Sequence, residues 1–166
     1  MRHDESDMTL IAEAEGKRFY SLNISSVGPL SIGSDEPFVC LLWDHGGLGG
    51  QEPEHVAFAR ALIQSGCRYS VSAGKSCENW EAAFDLAWVE EYVDVTAEQQ
   101  ERDHVMTSSH EGEEPDAVAF FFVMNTCFDD HDFQRYVVIH LGEGPDLINL
   151  NRRVAAWALH PSEQIV

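Results

Sequence analysis

Phe38-Val39-Cys40-Leu41-Leu42-Trp43-Asp44-His45-Gly46-Gly47-Leu48-Gly49-Gly50 is the stretch on which the fold turns. Six apolar residues in succession have strand length and leave neither face for water, the pattern of a strand covered on both sides. Asp44-His45 and four glycines then break the run. Pro53 suits a first helical position, Val56, Ala59, Leu62 and Ile63 recur at helical spacing, and Gly66 suits a stop. A buried strand, a glycine loop and an amphipathic helix make one βα unit.

Downstream the alternation repeats. Residues 68–73 read as a second strand, and after Gly74-Lys75 the hydroxyl of Ser76 is placed to cap a helix with Trp80, Phe84, Ala87 and Trp88 on one face. Residues 96–102 suggest a polar helical turn, and residues 104–108 a third strand that leads to Ser109-His110-Glu111-Gly112. Pro115 opens a segment over 116–125 that is apolar on nearly every side; we read it as a helix, although a strand fits the same residues. Residues 135–141 form a fourth strand, and Gly142-Glu143-Gly144-Pro145 leads to a last helix with Leu147, Leu150, Val154 and Trp157 in register. Upstream, residues 1–8 read as a flexible acidic tail, two β-like stretches over 9–24 flank Glu15-Gly16, and 27–37 connects them to the first unit.

Four strand–helix alternations predict a parallel sheet with helices on both faces. The expectation is one three-layer α/β domain over 9–166, Rossmann- or flavodoxin-like, with an αβ core over 38–160. Its mostly parallel four-stranded sheet is expected in the order 2-1-3-4, with an N-terminal β-hairpin or edge ribbon added.

Composition narrows the function classes. The 166 residues carry 29 Asp plus Glu against 10 Lys plus Arg, a formal charge of −19. Such a surface repels phosphate backbones and anionic lipid, which argues against nucleic-acid and membrane partners and leaves a small molecule, a protein partner or a homodimer. No apolar run approaches the roughly 20 residues of a membrane span, and the acidic start is unlike a signal peptide, so a cytoplasmic location is expected. Cys40, Cys67, Cys77 and Cys127 include no C-x-x-C pair. Cys40 and Cys127 read as small buried hydrophobes. A reactive thiol would have to be Cys77, at a helix start beside Lys75 and Ser76.

Right-handed crossovers gather the carboxyl ends of parallel strands along one edge, where open α/β sheets bind ligands. That edge receives Trp43, Asp44, His45 and the glycines from strand one, Lys75 and Ser76 from strand two, His110 and Glu111 from strand three, and Glu143 from strand four. Trp43, Gly47, Gly49, Lys75, Ser76 and Glu143 are therefore candidate ligand-binding residues. Gly47-Leu48-Gly49 begins a dinucleotide pattern, but Glu52 replaces its third glycine and no acid ends strand two, which disfavours NAD. Gly74-Lys75-Ser76 resembles the tail of an ATP-binding P-loop, but Tyr69 stands where its first glycine is required.

With strands one and three adjacent, His45, His110 and Glu111 could act in proton transfer. Asp44, His45, His110 and Glu111 could hold a divalent metal that activates water, as in a hydrolase or transferase. The acidic run 129–132 precedes strand four and belongs to the opposite edge. On these grounds the sequence favours a small-ligand-binding or interaction module, with a metal-assisted hydrolase or transferase as the alternative.

Overall fold

In the computed structural model, which describes residues 2–3, 7–28, 30–33, 36–128 and 131–165, a hairpin is followed by four βα units. A short strand β1 (Arg2–His3) and the hairpin strands β2 (Thr9–Ala14) and β3 (Lys17–Ile24) come first. The hairpin turns at Glu15 and Gly16, which both adopt left-handed backbone angles. β4 (Ser31–Ile32) pairs with β1 in parallel. The units are β5 (Phe38–Asp44) with α1 (Glu52–Gln64), then β6 (Cys67–Gly74) with α2 (Cys77–Glu91) and the short α3 (Ala97–Arg102). They continue with β7 (Met106–His110) and α4 (Pro115–Met124), then β8 (Arg135–Leu141) and α5 (Leu147–Leu159), before a final turn α6 (Pro161–Gln164). Part of the expected acidic tail, and Asp129 and Asp130 of the acidic loop, lie outside the described residues.

Six strands form the main sheet in the order β2-β3-β8-β5-β6-β7. Only β2 runs antiparallel to its neighbour. The continuous apolar runs are explained by coverage on both faces. Cys40, Leu42, Val137 and Ile139 pack under α1 and α2 with Phe58, Leu62, Trp80 and Phe84. Val39, Leu41, Tyr136 and Val138 pack under α4 and α5 with Phe122, Val123, Leu150 and Trp157. Segment 116–125 is thus a helix, with Val118, Ala119, Phe122 and Val123 buried on the sheet beside α5 and Phe120 and Met124 exposed.

The expected order 2-1-3-4 is corrected to 3-2-1-4 for the same four strands. α1 and α2 lie on one face, and their crossovers carry the sheet from β5 to β6 to β7. α4 lies on the other face, and a right-handed crossover on the opposite face must step the opposite way. β8 therefore lands on the far side of β5, between it and the hairpin strand β3.

Smaller differences follow from local chemistry. β7 begins two residues later than its pattern suggests and closes on His110. Ser76 occupies the N-cap position of α2 with a left-handed φ of 55° and its side chain makes no capping bond. Cys127 is exposed rather than buried, and Phe120 is partly exposed. Among the described residues no helix is long and apolar enough to cross a membrane.

Candidate functional site

From β5 the chain proceeds toward β6, whereas β8 arrives on the other side of β5. The carboxyl ends of these two strands therefore flank the point where strand order reverses, the place where open α/β sheets bind ligands. The ladders extend past the strand ends and hold the rim in place. His45 N–H donates to Leu141 O at 2.9 Å, Lys75 N–H to Asp44 O at 2.8 Å, and Gly142 N–H to Ile24 O at 2.9 Å.

Alternation along β8 puts His140 on the face it shares with Tyr136 and Val138, under α5. The ring is fully buried yet fully engaged. Its Nδ1 lies 2.8 Å from His45 Nε2, and its Nε2 lies 2.8 Å from Asn151 Oδ1 on α5. Asn151 Nδ2 donates in turn to the hydroxyl of Ser21 on β3, at 3.0 Å. Four segments thus meet in one chain of hydrogen bonds: Ser21, Asn151, His140 and His45. Burial lowers His140 to about 4, with the His45 charge acting the same way and the Asn151 acceptor opposing it. Burial also lowers His45, against the opposing pull of the Asp146 and Asp44 charges. Both imidazoles are neutral near pH 7.

Glycines keep this rim narrow. A side chain at Gly144 would place its Cβ 2.8 Å from His45 Nδ1, and one at Gly142 would meet Gly46 O at 2.9 Å. The Lys75 side chain folds across Gly46, so that a Cβ there would lie 2.7 Å from its Cδ and 3.0 Å from its Nζ. A depression of about 360 Å³ opens beside the glycine loop, between Asn23, Ile24 and Ser25 of the hairpin strand and Gly46, Gly47, Leu48, Gly142 and Glu143. A smaller one, about 220 Å³, is lined by Gly74, Lys75, Ser76, Cys77 and Glu111.

The residues singled out by sequence reach this edge, but not as one cluster. Register aligns Trp43 with Ala73 and Ala73 with His110, so two strand spacings, about 9.6 Å, separate β5 from β7. The expected meeting of His45 with His110 and Glu111 depended on adjacent strands, and β6 intervenes. His110 is instead a satisfied, buried ring: Nδ1 lies 2.6 Å from Glu113 Oε2, Nε2 lies 3.1 Å from Ser108 Oγ, and Phe121 covers it. Asp44 is also engaged, accepting from Gly46 N at 2.7 Å and Trp80 Nε1 at 3.0 Å. Among the described residues no three His, Cys, Asp or Glu side chains are grouped to hold a metal ion, so Asp44, His45, His110 and Glu111 do not form the expected metal quartet.

Trp43 is buried, its ring against Gly74 and 6.2 Å from that of His45, which leaves no open face for stacking on a ligand. Gly47 and Glu143 line the larger depression, and Lys75 and Ser76 the smaller. Gly49 belongs to the glycine loop, where its carbonyl faces His55 at 3.4 Å. Cys77 is buried and its thiol is pushed up, first by burial, which opposes a nucleophilic role. His140, Asn151 and Ser21 are the residues that sequence reading passed over.

Residues 20–157 match the family described as Domain of unknown function (DUF7684). The chain belongs to that family. The matched span holds all four members of the hydrogen-bonded chain, Ser21, His45, His140 and Asn151, and leaves out β1, β2 and α6. No curated protein and no solved structure matches the chain.

Proposed function

We propose that the domain binds a small polar molecule in the crevice beyond the carboxyl ends of β5 and β8. The observation that carries this reading is the 2.8 Å contact between His45 and His140 at the reversal of strand order. A buried imidazole and a carboxamide are costly in a core, and here their polar atoms are directed along one line to the rim. Glycines keep the loop backbone close by, and Lys75, Glu143 and Asn23 supply charge and hydrogen-bonding capacity around it. A concave site with few, fixed polar groups suits a small molecule better than a protein surface.

The test is a screen of small polar metabolites against the isotope-labelled chain, read by amide and imidazole resonances. Binding should displace signals of His45, Gly46, Gly47, Leu48, Gly142 and Glu143. Binders whose shifts fall elsewhere, for example along β7, would place the site at another surface and overturn the assignment.

A further inference from the structure

We propose that His45 is the general base of the crevice, its Nδ1 taking a proton from an O–H or N–H group of the bound molecule, with His140 and Asn151 as positioning residues. The proposal rests on the crevice being the binding site. Three observations support it.

The hydrogen-bonded chain has a direction. Asn151 gives its Nδ2 to Ser21, so its oxygen faces His140 and requires a proton on His140 Nε2. His140 Nδ1 then holds a lone pair and accepts from His45 Nε2–H, and ring centroids 5.1 Å apart across a 2.8 Å N–N contact fit rings placed edge to edge along that bond. The lone pair of His45 is thereby placed on Nδ1, which has no hydrogen-bond partner among the described residues. A histidine held in one tautomer by a second group is the arrangement that makes an imidazole an oriented base.

Gly144 is the second observation. Its φ lies outside the left-handed region, so the backbone does not demand glycine there. The demand comes from His45, because a Cβ would stand 2.8 Å from Nδ1 and 3.2 Å from Cγ. A methyl group at this position would cover the one nitrogen that the chain leaves unbonded.

The surroundings suit the charge that forms. Asp44 from β5 and Asp146 at the start of α5 both act on His45, and Glu143 lies on the same turn. Around His140 stand Ser21, Asn151 and His45, none of them an acid. In the step itself the ligand's X–H bond breaks, its electron pair stays on X, and an N–H bond forms at Nδ1. The resulting imidazolium keeps its Nε2 proton in the bond to His140, because the buried ring is a poorer base and no acid stands beside it. Lys75, beside Gly46, supplies a cation on the rim for the anion produced. The ligand class is accordingly a small weak acid.

Long-range proton–nitrogen spectra of the full chain should show both rings protonated at Nε2. In Asn151→Leu both rings should become tautomer mixtures, which a purely structural role for Asn151 would not produce. Ethoxycarbonylation with diethyl pyrocarbonate, mapped by mass spectrometry, should label His45 readily, and Gly144→Ala should slow that labelling at least tenfold while exposed His160 keeps its rate. A His45 protonated at Nδ1 overturns the proposal, even if ligand shifts at the crevice stand. Unchanged His45 labelling in Gly144→Ala also overturns it. If Gly144→Ala does not fold, the wild-type tautomers decide alone. A correct tautomer and reactive Nδ1 with no ligand shifts at the rim would overturn the crevice reading and the proton transfer with it, while leaving the orientation of His45 by His140 and Asn151 intact.

Discussion

Acidification should separate the wild-type chain from a His140→Gln variant. His140 is held at about 4 by burial against an ordinary value of 6.5. The unfolded chain therefore binds a proton at pH values where the folded chain keeps the ring neutral. For a histidine depressed in this way, the stability contribution is complete above pH 6.5 and is lost as pH falls toward 4. At about 1.4 kcal/mol per pH unit, the gap corresponds to roughly 3 kcal/mol in total. About 2 kcal/mol of that falls between pH 6.5 and pH 5, short of the region near the isoelectric point of 4.5 where solubility would interfere. Urea unfolding at pH 7, 6 and 5, followed by tryptophan emission, measures it. The many carboxylates titrate alike in both chains, so the difference between them isolates His140. The wild type should lose about 2 kcal/mol relative to the variant over this range. Two parallel declines would refute the claim that His140 is buried neutral, and with it the hydrogen-bonded chain from Ser21 to His45.

Other outcomes follow from single contacts. Of the four cysteines, Cys40, Cys67 and Cys77 are buried, with Cys67 pushed up to about 12, and only Cys127 is exposed. Ellman's reagent should titrate one thiol per native chain within minutes and all four after unfolding; a second fast thiol contradicts this. Gly74→Ala combines a φ of 77° with a Cβ 2.4 Å from Asp44 O, and should cost at least about 2 kcal/mol in urea unfolding. Asp44→Ala leaves Gly46 N–H and Trp80 Nε1–H without their acceptor, so about 2 kcal/mol should be lost and Trp80 emission should shift. The hydroxyls of Ser70 and Ser72 are fully buried and have no partner among the described residues, so Ser70→Ala and Ser72→Ala should stay within about 1 kcal/mol of wild type. A larger loss in either would reveal a bond those hydroxyls make.

The elements themselves were legible because burial on two faces writes long apolar runs, as in Phe38 to Trp43, and because glycine and proline punctuate them. The common direction of β5 to β8 was legible as well, since each is followed by a helix. Their order was not. It depends on which face each crossover helix covers, and α4, with Phe120, Phe121 and Phe122 in succession, has no polar side from which to read a face. That one ambiguity moved His110 away from His45. His140 was hidden for a related reason, as one polar residue inside the buried strand Arg135–Leu141. A signal did exist: Asn151 falls between Leu147 and Val154 on the apolar stripe of α5, at helical spacing from both. A carboxamide in such a stripe needs a polar partner across the core, and β8 offers one at the matching depth.

Because β5 and β8 are neighbours, the two imidazoles that touch are 95 positions apart in the chain. During synthesis β5 can add β6 and β7 on one side, while its other side waits for the last strand of the sheet to leave the ribosome. Until then it presents an apolar, unsatisfied border, the kind of surface that chaperones hold and that strays into foreign strand pairing. Closing that border and bringing the two rings together are the same event, so no nascent or truncated form ending before residue 140 can hold the paired rings, and Asn151 joins them only once α5 has been made.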